Sequence, residues 1–544
     1  MNAITDLTTG FRPHPDHAAR RYREVGVFDD RPLWDLLRRA VEQSPDAPAV
    51  TDASIDGHGT LSYAEYQAAV DRRAAGFVHA GLQPGQRIIL QLNNSAAFAI
   101  TLLALLRIGV VPVMTLPAHR ISEIAHLADR SGAVAYIGED GRRGFDYRAL
   151  AADLRTQVPT VERVFIDGDA GEFAALPDAD PTTISLPDAA DPDLPALFLV
   201  SGGTTGLPKL IARTHNDYAF NARRSASIAE LSSADTYLVA LPGAHNFPLC
   251  CPGLFGMLSV GGHTVFTDVP SPDATFELIE RYRITVTSLV PALAQLWAVA
   301  SEWEPADLSS LRLLQVGGAK ISRTDAQACD AAFGDVVQQV FGMAEGLICY
   351  TRLDDPRATV HTAQGRPMSE HDELRIVDAD DNEVPDGTDG ELLVRGPYTI
   401  RGYYRADEHN ARSFTEDGFY RSGDQVRRLP SGHLVVTGRI KATIVRAGEN
   451  VAADDIEETL LMHPEISQVA VIGLSDEVLG EKICAIVVPR GRSAGLTLPT
   501  LRAFLTDHGL ASFKLPDTVV IKSQLPVTAV GKIDKVALRT ELEG

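Results

Sequence analysis

Cysteine, positive charge and long apolar runs are what this 544-residue chain has little of. Its five cysteines, Cys250, Cys251, Cys329, Cys349 and Cys484, show no CxxC or Cys/His ligand spacing. That argues against a structural zinc site and suits a reducing compartment. Lysine and arginine number 50 against 72 acidic residues, a net charge of -22. Affinity for nucleic acid comes from clustered cations, so no nucleic-acid partner is expected, and any anion must be met by local groups. The most apolar run, "FAITLLALLRIGVVPV" (98–113), is interrupted by Arg107 and Gly109. It falls short of the ~20 apolar residues of a membrane span, so no membrane partner is expected either. The opening "MNAITDLTTGFRPHPDHAARRYRE" lacks an apolar stretch before a cleavage site, which makes a cytoplasmic location the expectation.

What is present is a long alternation of helical and strand patterns. "YAEYQAAVDRRAAGFVHAGL" reads as an amphipathic helix, "RIILQL" as a strand, "AFAITLLALLRIG" as a buried helix and "VVPVMTL" as a strand. The rhythm continues through "TVFTDV", "DATFELIERYRI", "TVTSLV", "PALAQLWAVASEW" and "LRLLQVGG". It predicts an α/β protein with parallel sheets and crossover helices. An acidic, proline-dotted stretch, "DGDAGEFAALPDADPTTISLPDAADPDLP", reads as an exposed connection. From about Gly365 short strands and turns suggest a small β-rich subdomain. A fresh αβ pattern after "HLVVTGRIK" predicts a large N-terminal domain over 1–438, built of αβ-layered subdomains plus that β-rich one. A small, mobile α+β C-terminal domain over 439–544 follows.

The densest use of glycine is "LVSGGTTGLPKLI" (199–211). Glycine costs entropy to order, so such a cluster marks backbone that a side chain would obstruct. Gly206 is followed by Leu207 and Pro208, so this is not a Walker A loop. Successive N–H groups, hydroxyls and Lys209 still make a concave donor surface for phosphate oxygens. A tight turn between two strands is the plain alternative. Four further strings stand out: "VFGMAEGL" (340–347), "YRSGDQVRR" (420–428), "VVTGRIK" (435–441) and "LPVTAVGKIDKVAL" (525–538). Singly, Glu345 reads as a solvated loop acid, Asp424 as a turn former and Lys532 as a surface charge.

Together and in this order the five strings resemble the signatures of the adenylate-forming superfamily of acyl-CoA synthetases, luciferases and peptide-synthetase adenylation domains. The resemblance implies ATP and Mg2+ as cofactors. It places Ser201, Gly202, Gly203, Thr204, Thr205, Gly206 and Lys209 on the nucleotide phosphates. Phe341 would stack on adenine, flanked by Gly342, Met343 and Ala344, with Gly318, Ala319 and Val436 also lining the nucleotide. Glu345 would ligate magnesium, Asp424 would accept from the ribose hydroxyls, and Arg439 would contact ribose or phosphate. Lys441 falls at the family's hinge and Lys532 at its catalytic lysine.

"LPGAHNFPLCCPG" (241–253) resembles the aryl-acid adenylating branch that serves siderophore and related peptide pathways. There His245, Asn246, Phe247, Cys251, Gly317, Gly318, Ile348 and Lys532 would form the substrate site, with His245, Glu345 and Lys532 catalytic. Gly317 and Gly318 are expected to leave room along one ring face. Cys251 stands where 2,3-dihydroxybenzoate users tend to have serine and salicylate users cysteine. A thiol is bulkier and a weaker hydrogen-bond partner than a hydroxyl, so salicylate is the expected acid. The expected acceptor is the phosphopantetheine thiol of an aryl carrier protein. 2,3-Dihydroxybenzoate as acid and free coenzyme A as acceptor stay open as alternatives. One stretch departs from the family pattern: "ATIVRAGEN" (442–450) carries Ala447 where glycine is usual, beside the expected thiol tunnel.

Overall fold

The computed structural model describes residues 7–54, 59–142, 144–188, 190–201, 208–440, 443–446, 449–476, 479–491, 495–508, 510, 514–528 and 531–543. Among them the strands form four main sheets. The largest has nine strands, with a parallel centre that runs Val337–Gly342, Leu313–Gly317, Val286–Leu289, Thr236–Val239, His263–Phe266 and Pro48–Asp52. Antiparallel strands close both of its ends. The second has seven strands and is parallel except where Pro195–Val200 turns back as Leu210–Thr214. Interior strands such as Arg87–Leu90 and Val111–Met114 are buried throughout, as expected where helices cover both faces.

The predicted helices occupy their expected places for local reasons. Tyr63–His79 starts on a capping box in which the Ser62 hydroxyl accepts from Glu65 N–H and the Glu65 carboxylate accepts from Ser62 N–H. Ala96–Arg107 is apolar on every side because it lies between the two large sheets. It packs on Val111–Met114 of one and Pro48–Asp52 of the other, and Leu102, Leu103, Leu105 and Leu106 are buried.

The β-rich segment is a four-stranded antiparallel meander over Glu373–Val377, Asp389–Arg395, Tyr420–Arg428 and Leu434–Arg439. The next described strand, Thr443–Arg446, joins a separate five-stranded sheet with its own apolar core under helices Ala453–Leu461 and Leu498–Asp507. Lys320 ties that unit to the rest: its ammonium donates to Val436 O at 2.8 Å and pairs with Glu458 at 2.5 Å.

The acidic connection is largely exposed and lies along helix Tyr63–His79, where Arg73 pairs with Asp178 and Ala179 N–H donates to Arg72 O. Gly76 permits the approach, since a Cβ there would stand 2.1 Å from Pro177 O. Gly76→Ala is expected to cost about 1–3 kcal/mol, the usual range for overpacking. The measurements are the drop in Tm and faster proteolysis of the 168–194 connection.

Candidate functional site

The two large sheets deliver their functional residues at strand ends that converge on one crevice, the usual place for ligands in open α/β sheets. The glycine-rich loop leaves the seven-stranded sheet after Pro195–Val200. Its neck is closed by two bonds, Ser201 N–H to Lys209 O and Lys209 N–H to Ser201 Oγ, each 2.9 Å. Gly202, Gly203, Thr204, Thr205 and Gly206 lie outside the described residues, as does Lys441. The Lys209 ammonium stands 5.7 Å from the centre of the Tyr403 ring.

From the nine-stranded sheet, Val337–Gly342 ends in Phe341 and Gly342 and turns tightly, with Gly346 N–H donating to Met343 O and Met343 N–H to Leu347 O. Three bonds clamp that turn. The Arg213 guanidinium donates to Ala344 O at 2.9 Å, Ile400 N–H donates to Glu345 O at 2.8 Å, and the Tyr403 hydroxyl donates to Glu345 Oε1 at 2.7 Å. Arg213 is fully buried and paired with Asp217 at 2.9 Å. Burial and the Glu345 charge together raise the Tyr403 phenol pKa, so it remains a donor.

The meander contributes Asp424, buried and bonded to Arg439 Nε at 2.7 Å, with burial raising its carboxyl pKa against the pull of Arg439 and Lys532. Val436 N–H donates to Gln364 Oε1. Ala319 is exposed beside Gly318.

The C-terminal unit contributes Lys532 from a turn in which Thr528 N–H donates to Lys532 O and Lys532 N–H to Thr528 Oγ1. Its stem lies over Gly318, whose φ is +82° and whose added Cβ would stand 3.3 Å from Lys532 Cε. Burial, aided by Arg439, pulls the ammonium pKa from its usual range to about 8, while Asp424 and Glu345 hold it up. Burial takes His245 to about 4, with Lys532 pushing the same way, so its imidazole is neutral at physiological pH. Its Nδ1 accepts from Phe247 N–H at 3.3 Å, at the start of the short helix Asn246–Cys250.

Phe247, Cys251 and Ile348 belong to one buried apolar cluster with Leu241, Val290 and Val340. The room that Gly317 leaves is filled by Phe247, since an added Cβ would stand 3.0 Å from that ring and 2.7 Å from Val340 O. At the mouth, Leu241, Pro242, His245, Phe247, Val290, Gly318 and Lys532 enclose about 10 Å3, near the lower limit for one water. Asn246 is nearly buried and its amide is engaged: Oδ1 accepts from the Tyr218 hydroxyl at 2.8 Å, and Nδ2 lies 3.5 Å from Cys251 Sγ. Burial lifts the Cys251 thiol to about 12, so it stays protonated. Sequence reasoning missed Arg213, Tyr218 and Tyr403, each of which holds a candidate residue in place and none of which lies in a string that stood out.

No group of three or more potential metal-ligating side chains occurs among the described residues. Magnesium fits the site in another way. Tyr403 takes one Glu345 oxygen and leaves the second for a cation whose remaining ligands are water and phosphate, the usual manner of holding magnesium.

The model of the AMP-binding enzyme family matches residues 37–404, and that of the AMP-binding enzyme C-terminal domain matches 455–532. The chain is 52% identical to the salicyl-AMP ligase / salicyl-S-ArCP synthetase of Mycobacterium tuberculosis, over 98% of this chain and 94% of that protein. It is 46% identical to the 2,3-dihydroxybenzoate-AMP ligase of Bacillus subtilis, over 98% of each. The apo structure of Mycobacterium smegmatis MbtA superposes with a TM-score of 0.76 at 50% identity, covering 98% of this chain and 99% of that one. Among the described residues no helix is long and apolar enough to cross a membrane.

The position of Lys532 makes its amine titrate near pH 8 rather than with the ordinary lysines near 10.4. Trace acetylation across a pH series, read by peptide mass spectrometry, should show that midpoint. A midpoint above 10 would place the amine in open water.

Proposed function

The chain belongs to the AMP-binding enzyme family, and from that premise we propose that it activates an aromatic carboxylic acid, salicylate, as an acyl adenylate. The observation that carries this reading is the seat of Lys532: a desolvated cation between an apolar slot and the carboxylates of Asp424 and Glu345.

The acid lies with its ring in the Phe247, Cys251 and Ile348 cluster and its carboxylate at the Lys532 end. ATP lies with adenine on Phe341, ribose on Asp424 and phosphates in the loop from Ser201 to Lys209. A carboxylate oxygen attacks the α-phosphorus in line, the bond from that phosphorus to the α,β-bridging oxygen breaks, and pyrophosphate leaves with the electron pair. Side chains here supply position and charge. Lys532 offsets the negative charge that builds between carboxylate and α-phosphate. Neutral His245 shapes the mouth of the slot without adding charge. Magnesium held by Glu345 and phosphate oxygens would neutralise charge on the leaving pyrophosphate.

The adenylate then meets a phosphopantetheine thiol, which attacks the acyl carbon. The thioester forms, AMP leaves, and the thiol proton passes to solvent. For this step we propose a division at residue 439, with 1–438 as the large domain and 439–544 turning about Lys441. The end of the meander at Arg439 and the separate sheet from Thr443 onward support that division. The salicyl-S-ArCP synthetase activity of the mycobacterial relative supports an aryl carrier protein as acceptor, and the vibriobactin-specific and enterobactin-synthase relatives support siderophore-type synthesis.

Lys532→Ala should lower substrate-dependent ATP–pyrophosphate exchange by about a hundredfold or more, while thiol transfer from preformed aryl-AMP stays within a few-fold. Equal loss in both half-reactions would refute the turning domain. Thioester formation on a phosphopantetheinylated carrier, compared with free coenzyme A, identifies the acceptor. Cys251→Ser should raise kcat/KM for 2,3-dihydroxybenzoate relative to salicylate, and an unchanged ratio would remove Cys251 from the ring's substituents.

A further inference from the structure

Tyr218 lies on helix His215–Ile228, which follows the strand leaving the glycine-rich loop. Its ring is fully buried and held on two sides. The Arg213 guanidinium stands 4.8 Å from the ring centre, and the Phe255 ring meets it edge-on at 5.8 Å and 72°. Arg213 is itself fixed by Asp217 and by Ala344 O, so the phenol has one place to stand. A buried phenol must donate its proton, and the acceptor it meets is Asn246 Oδ1 at 2.8 Å. Were that amide turned over, its nitrogen would face the phenol and the O–H would lose this acceptor, at the cost of a buried unsatisfied donor. The bond therefore sets which end of Asn246 faces which way. The amide nitrogen lies on the Cys251 side, and Cys251 packs with Phe247 and Ile348 in the ring slot.

We propose that Tyr218 is a positioning residue that fixes the polarity of the slot. By holding the Asn246 oxygen it keeps the amide nitrogen on the Cys251 side, where one N–H is directed to Cys251 Sγ and the other is the donor for the substituent beside the substrate's carboxylate, so the enzyme selects an acceptor there and rejects a donor. This rests on the reading of the chain as an aryl-acid activating enzyme. Its chemistry is specific. In salicylate the ortho hydroxyl gives its hydrogen to the adjacent carboxylate and turns oxygen lone pairs outward. In anthranilate the ortho amine gives one hydrogen to the carboxylate and turns a second outward, where it meets the Asn246 N–H. Two donors face each other with no acceptor between them, and a site built on hydrogen bonding discriminates strongly in such a case.

The experiment measures pyrophosphate exchange for salicylate and anthranilate with the wild-type enzyme and Tyr218→Phe. Without the hydroxyl, the Asn246 amide can turn over and offer its oxygen. The kcat/KM ratio of salicylate to anthranilate is expected to fall by about tenfold or more, the size of one lost buried hydrogen-bond preference. The KM for ATP should stay within about twofold, because the adenine and phosphate residues are not touched. A uniform loss with both acids, or an unchanged ratio in an active variant, would overturn the proposal, since a merely structural tyrosine would lower both alike. The wild-type enzyme gives an independent test should the variant fail to fold. 2-Fluorobenzoate, whose ortho atom can only accept, should be used better than anthranilate, and the reverse order would overturn the proposal by itself. If no aryl acid supports exchange in the wild type, the activation reading falls and this one with it. Activity with an unchanged or reversed ortho preference sinks the role of Tyr218 alone.

Discussion

Two anions have to be brought within reacting distance by a chain that is itself strongly acidic. A carboxylate and a phosphate at ~4 Å repel by roughly 1 kcal/mol in water and by several times that in a less polar crevice. A surface lysine would not relieve this, because water and salt would screen it. Lys532 is instead drawn out of solvent, and its lowered pKa records what that desolvation costs. The groups around it reduce that cost: Asp424 and Glu345 supply negative charge, each held by a partner, Arg439 and Tyr403. The cation is poised between retention and loss of its proton, and bound phosphates would tip it toward retention.

That arrangement needs the whole fold. The loop neck comes from the seven-stranded sheet, Phe341 and Glu345 from the end of a strand in the nine-stranded sheet, Asp424 from the meander and Lys532 from the C-terminal unit. Parallel strands place their ends in register, so two sheets that share helix Ala96–Arg107 as a common core also share a floor for the site. Lys320, two residues beyond Gly318, joins the C-terminal unit to that floor through Glu458, while its second bond, to Val436 O, holds the meander.

Much of this was legible in the sequence, for physical reasons. Helix Tyr63–His79 carries both its period and its cap locally, and the buried strands are continuous apolar runs between breakers. The chemistry-bearing side chains sit in short strings because backbone and ligand must approach closely there. The residues that orient them were not legible. Tyr218 reaches Asn246 across 28 positions, Tyr403 reaches Glu345 across 58 and Arg213 reaches Ala344 across 131, and nothing local marks a tyrosine or arginine for such a bond. Gly317 shows a different limit. Its missing side chain was expected to leave space for substrate, and in the folded chain that space is filled by Phe247. A sequence shows that a position is small, and only the fold shows what occupies the vacancy.

The near-solid mouth of the slot has a consequence for how a ring gets in. An interior of about 10 Å3 cannot hold a benzene ring, and of the described residues around it only Lys532 comes from the C-terminal unit. The walls therefore have to shift before a ring can enter, and Phe247, which fills the space beside Gly317, and Lys532 are two of the side chains that stand in its way. In the proposed turning of that unit the ring enters while Lys532 is away and the ammonium returns after it, as a latch drops once the door has shut.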